Sequence, residues 1–101
     1  MNQPAGLISV LLDKNSDVAS RDDAAMDLGE YDGPDVEYAL YLSASSKETP
    51  EVVCCSSGES LAYIWARRGE INRKYYQELR ESAKRELDAI IREKFPDLLS
   101  F

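Results

Sequence analysis

TPEVVCCSSGESLAYIWARRG, residues 49–69, is the stretch whose reading decides the fold. Both of its ends are punctuated. Thr49 is placed to accept a hydrogen bond from the free amides of a first helical turn, Pro50 suits the first helical position, and Glu51 sets negative charge at the positive end of the helix dipole. Arg67 and Arg68 followed by Gly69 form the matching stop. Between these ends Val53, Ser57, Leu61, Ile64 and Trp65 recur at helical spacing. That period predicts one long, largely buried helix around which the rest of the chain packs.

Working outward from this helix, the same signals recur. Pro4 to Leu12 carries Leu7, Ile8, Val10, Leu11 and Leu12 and reads as a short first helix, ended by the turn formers Asp13 to Asp17. A second helix starts near Ser16 or Asp17, with Ser20, Ala24, Ala25 and Leu28 on one face and Asp22, Asp23, Asp27 and Glu30 turned elsewhere. Asp32-Gly33-Pro34 is a stop followed by a start, and Val36, Ala39, Leu40 and Ser43 mark one face of a third helix. Beyond Gly69, Asn72 caps a fifth helix carrying Tyr75, Tyr76 and Leu79, and Ser82 is placed to cap a sixth. That last helix carries Ala83, Leu87, Ile90, Ile91 and Phe95 at helical spacing and stops at Pro96; the apolar tail 97–101 is expected to fold back on it. No period-two run bounded by turns suggests a sheet, so the expectation is an all-α chain of about six helices.

The 101 residues are expected to form a single domain, 1–101, able to bury roughly two-thirds of the unfolded surface. The longest apolar run, Ala5 to Leu12, is far short of the roughly 20 residues that span a bilayer, and no Lys or Arg precedes it as in a signal peptide. These features predict a soluble cytoplasmic chain. Cys54 and Cys55 are adjacent, which suits neither metal spacing nor an unstrained disulfide, so both read as reduced thiols serving as small packing residues. The formal charge is −7, and it is one-sided: residues 1–52 hold eleven acids and three bases, net −8, whereas residues 53–101 hold eight acids and nine bases, net +1. An acidic first half disfavours direct nucleic-acid binding and suits a basic protein partner or simple solvation.

Offset by 33 residues, the chain echoes itself: Ser16 falls on Thr49, Ser20 on Val53, Ala24 on Ser57, Ala25 on Gly58, Leu28 on Leu61 and Gly29 on Ala62. A repeated helical hairpin explains cap, small pair and Leu-small pair together. The run from Asp17 through Ala24-Ala25 and Leu28-Gly29 to Asp32-Gly33-Pro34, followed by Glu37-Tyr38-Ala39-Leu40, resembles the second helix and following turn of a HEAT repeat. The resemblance implies a short α-α superhelix of three hairpins, over 4–31, 34–68 and 72–95. A plain six-helix bundle is the alternative arrangement. Family members generally bind proteins on a concave face built from their second helices, which puts Asp22, Asp23, Asp27 and Glu30, with Tyr31 and Asp35 beside them, on the expected partner-binding surface.

Catalytic chemistry finds little footing. The chain has no His, which removes the commonest general base and metal ligand, and no spacing groups lysine or carboxylate bases. Asp13, Asn15 and Asp17 match the first ligands of a calcium loop, but Val18 stands where that loop needs Gly and Ala24 where it needs Glu. Gly58-Glu59-Ser60 lacks the second glycine of a nucleophile elbow and lies inside a helical pattern. Glu59 would face solvent or pair with a cation such as Arg92; Trp65 reads as core and Tyr63 as presenting its hydroxyl outward. The expectation is therefore a non-enzyme without metal or cofactor, monomeric, masking a basic protein such as a toxin nuclease in the manner of an inhibitor or immunity protein. An adaptor or subunit role, with Leu98, Leu99 and Phe101 as contacts, is the alternative.

Overall fold

The computed structural model describes residues 2–99, and most helix ends fall where local chemistry puts them. Six α-helices follow in order: α1 (Ala5–Leu12), α2 (Val18–Leu28), α3 (Pro34–Ser45), α4 (Glu51–Arg68), α5 (Arg73–Glu78) and α6 (Glu81–Lys94), with a 3-10 turn over Pro96–Leu99. There is no strand among the described residues. Asp17 opens α2 by accepting from the Ser20 amide at 2.8 Å, and Asn72 opens α5 by accepting from the Tyr75 amide at 3.0 Å. Gly33, at φ 121°, delivers Pro34 to the first position of α3. Gly69, at φ 79°, closes α4 in the left-handed conformation that only glycine adopts without strain.

Two caps differ from the sequence reading. Thr49 does not cap α4; Pro50 occupies the cap position with ψ 144°, the helix starts at Glu51, and no side chain closes it. Ser82 lies inside α6, which starts at Glu81 behind Arg80. Arg80 accounts for both differences. Its guanidinium donates to the carbonyls of Ser46 at 3.2 Å and Thr49 at 2.7 Å, and its backbone amide donates to Ala44 at 3.0 Å. These contacts fix how the chain enters α4 and α6, a long-range restraint that overrides local cap preference.

The helices form two layers. α1 pairs with α2 and α3 with α4 as antiparallel hairpins; α2 packs on α4 and α4 on α6 in one layer, while α1 meets α3 in the other. The third unit is shortened, because α5 has six residues and buries none of them. It is pinned instead by Tyr75, whose ring stacks on Tyr41 of α3 at 4.1 Å, and by the Tyr76 hydroxyl donating to Asp88 of α6 at 2.9 Å. Links between the stacked helices include Lys14 with Glu48, Asp22 with Ser56, Ala25 with Ser60 and Tyr63 with Lys94, 34, 34, 35 and 31 residues apart.

α4 is the centre of this stack, with Val53, Cys54, Leu61, Ala62 and Trp65 fully buried. Its polar residues are satisfied within the core. Ser57 donates to Ser43 at 2.7 Å, Ser60 donates to the Ala25 carbonyl at 2.5 Å, and the Trp65 indole donates to Glu37 at 2.5 Å. Glu37 in turn holds Arg68 through two bonds of 3.1 and 3.0 Å. Both cysteines are free thiols, Cys54 buried and Cys55 half-buried. Tyr63 is half-buried, and its hydroxyl accepts from Lys94 at 2.9 Å while its ring meets Phe95 edge-on. Phe95 and Leu98 pack against the core, so the tail folds back as far as Leu98; the Leu99 side chain and Phe101 lie outside what the structure describes. No described helix is long and apolar enough to cross a membrane.

A candidate acidic interface on the second helices

The carboxylates of α2 fall into two groups. Asp23 and Asp27, four residues apart, share the exposed side of the helix, and Glu30 follows in the turn. Asp22 instead turns toward the neighbouring helix, where it accepts from Ser56 of α4 at 2.6 Å. Tyr31 is half-buried against the core, and its carbonyl accepts from Arg67 at 3.2 Å. Asp35 is exposed in the first turn of α3, in the other layer. The structure therefore keeps Asp23 and Asp27 together on the exposed side of α2 with Glu30 in the turn after it, turns Asp22 toward α4, half-buries Tyr31 and places Asp35 on α3. None of the five carboxylates Asp22, Asp23, Asp27, Glu30 and Asp35 forms an ion pair among the described residues.

Asp22 is the start of a row that the sequence reading did not assemble. Glu59 of α4 and Glu86 of α6 lie beyond it on the same layer, near enough that the Glu59 carboxyl is raised above its ordinary value, first by burial, then by Glu86 and Asp22. Lys94 opposes this shift. Glu59 forms no ion pair with Arg92, and it is half-buried rather than open to solvent. Cys55 lies among the same acids; burial, then Glu86 and Glu51, push its thiol up, so it stays protonated at neutral pH and is a poor nucleophile. Sequence distance hid this row. Asp22, Glu59 and Glu86 are on three different helices, and only the stacking of second helices brings them together.

Glu59 makes a measurable statement about cost. Its folded carboxyl titrates above the ordinary value of 4.5, so the folded chain holds this proton more tightly than the unfolded chain does. The associated stability is complete below that value and is lost as pH rises through the folded pKa. Glu59→Gln removes the repulsion at neutral pH and is expected to stabilise the free protein by a few tenths of a kcal/mol, the scale of solvent-screened charge pairs. The gain should vanish in mild acid. Urea midpoints of the two proteins at both pH values check this, and a Gln variant less stable at neutral pH contradicts it.

Of the remaining acids of the first half, Asp32, Glu37, Glu48 and Glu51 pair with Arg67, Arg68, Lys14 and Arg80 from distant parts of the chain, and Asp13 and Asp17 are engaged locally. Asp13 accepts from the Asn15 amide at 2.9 Å and from the Ser16 hydroxyl at 3.1 Å, and Asp17 caps α2, so the residues that resemble the start of a calcium loop shape a turn instead. Among the described residues no group of three or more His, Cys, Asp or Glu is placed to hold a metal ion. Comparison with family models, with curated proteins and with solved structures gives no significant match.

Proposed function

We propose that the chain is a protein-binding module of HEAT-like hairpins that uses its acidic second-helix face to mask a basic partner. An inhibitor or immunity-type role against a cationic protein, such as a toxin nuclease whose phosphate-binding cleft accepts carboxylates, fits a cytoplasmic monomer of this size and charge. The observation that carries the reading is that α2, α4 and α6 stack in one layer and carry Asp22, Glu59 and Glu86, with Asp22 reaching across to Ser56 of α4. Like charges brought together cost the free fold stability, and a basic partner would relieve that cost on binding. The unpaired Asp23 and Asp27 extend the same charge along the exposed side of α2.

The adaptor reading draws on the apolar tail, and Leu98 is already packed against the core of its own chain. The test uses the partner captured by the purified chain, or the product of the adjacent reading frame. Reversing Asp22, Asp23 and Asp27 together to Lys is expected to weaken binding roughly a hundredfold or more, since close charge pairs across an interface carry large couplings. Unchanged affinity would mean that the face is an ordinary solvated surface.

A further inference from the structure

Arg21 is the charge that the acidic face does not explain. It lies on α2, yet it is only 9% exposed. Its Nε donates to the Leu11 carbonyl at 3.1 Å, closing one of the open carbonyls at the end of α1. That single bond uses one of five guanidinium donors, and no carboxylate lies within ion-pair distance among the described residues. Other covered charges have counter-charges: Glu37 holds Arg68, and Arg80 holds Glu51. No enclosed side-chain nitrogen or oxygen is left without a partner, so the unbonded Nη groups of Arg21 keep contact with solvent. The opening is a cleft of about 290 Å³ that Arg21 lines.

This cleft sits where the α1–α2 and α3–α4 loops meet. Lys14 and Glu48 join across its rim at 2.7 Å, both largely exposed. Ser46 and Thr49 also line it. Ser46 accepts from the Glu48 amide at 3.2 Å and keeps its own proton free to donate; the Thr49 hydroxyl, freed from capping, makes no bond among the described residues although the residue is 6% exposed. Arg21 and Lys14 against Glu48 leave a local charge of +1 in a chain of −7. The larger clefts beside the α4–α5 turn are lined by guanidiniums already engaged, Arg67 by Asp32 and Arg68 by Glu37.

We propose that this cleft binds one small oxyanion, a phosphate or a carboxylate, on the free Nη face of Arg21, with the Ser46 and Thr49 hydroxyls and Lys14 as further donors. A guanidinium presents two parallel donors that match such oxygens, and it keeps its charge at any pH the protein meets. The site is separate from the acidic face, and neither depends on the other.

Titration of the labelled chain with sodium phosphate and sodium acetate, at ionic strength held constant with chloride, tests the proposal. The Arg21 side-chain NMR signals should shift saturably, with half-saturation near 1–10 mM on the order of a weak single-ion site, and the melting temperature should rise with the same saturation. Whichever of phosphate and acetate saturates at lower concentration identifies the oxyanion. Arg21→Gln should abolish the response. Glu48→Gln, at an exposed position, removes the carboxylate from the rim and frees Lys14, and should tighten binding roughly threefold to tenfold, as expected for a charge pair near the surface. No saturable response to either anion in the unaltered chain overturns the proposal, and so does a response that Glu48→Gln leaves unchanged.

Discussion

Trp65→Ala is expected to leave the chain barely folded. The indole is fully buried in α4, the helix on which both neighbouring units pack. Truncating a buried Trp to Ala typically costs about 3–5 kcal/mol through lost transfer energy and the cavity left behind. A second loss adds to it here, because Glu37 is 7% exposed and gives up the indole donor at 2.5 Å, retaining Arg68 alone. Against a typical total of about 5–15 kcal/mol for a domain, little would remain. Trp65→Phe separates the two losses, since it refills most of the volume and removes only the donor; about 1–3 kcal/mol is expected for that variant. Urea unfolding followed by circular dichroism checks both, and a Trp65→Ala protein within about 1 kcal/mol of the original would show that α4 is not the centre of the core.

Gly58→Ala is expected to destabilise the fold, opposite to the usual sign for such a change. In an exposed helix interior the substitution gains about 1 kcal/mol from helix propensity. At Gly58 an added Cβ would lie 2.5 Å from the Ala83 carbonyl oxygen and 2.9 Å from its Cα, both backbone atoms of α6. Backbone cannot swing aside as a flexible side chain can, so α4 and α6 must separate, at a cost of about 1–3 kcal/mol or more. Gly69→Ala is the control: its Cβ meets nothing within 4 Å, but φ 79° strains any other residue, so a smaller loss of about 1 kcal/mol is expected. Thermal and urea midpoints rank the two. If Gly58→Ala proved stabilising, the close approach of α4 to α6 would be wrong.

The sequence carried the fold wherever a local signal and a tertiary contact agree. Asp17, Gly33-Pro34, Asn72, Gly69 and Pro96 are short-range devices, and each one ends or begins an element where its own chemistry requires. Stacked helices place residues about one hairpin apart in contact, as Asp22 with Ser56 and Ala25 with Ser60 show, whereas the Ser16 and Thr49 of the 33-residue echo cap neither α2 nor α4. Thr49 and Ser82 misled because Arg80 binds the carbonyls that set the helix entries, and no local pattern announces an arginine at that distance. Arg21 was hidden for the same reason. Its burial depends on the packing of α1 on α2, which brings the Leu11 carbonyl to its guanidinium. The acidic residues of α2 were legible as a charged stripe; Glu59 and Glu86 were not, because single acids on otherwise mixed helices gain meaning only when the helices stack.

In the proposed function the stacked acidic layer meets the partner and α4 holds that layer in shape. Substitutions at Trp65 and Gly58 should therefore act through stability alone, whereas those at Asp23, Asp27, Glu59 and Glu86 should act on binding while leaving the free fold intact or slightly more stable, and those at Asp22 should also cost the fold its bond from Ser56. The most direct test is the association rate of the chain with its captured protein partner, measured across a range of ionic strength. Opposite charges steering the encounter predict a rate that falls roughly tenfold or more between low and high salt, and a dependence that flattens when Asp22, Asp23 and Asp27 are reversed to Lys. A rate indifferent to salt, and unchanged by that reversal, would contradict the assignment of the acidic face as the binding surface.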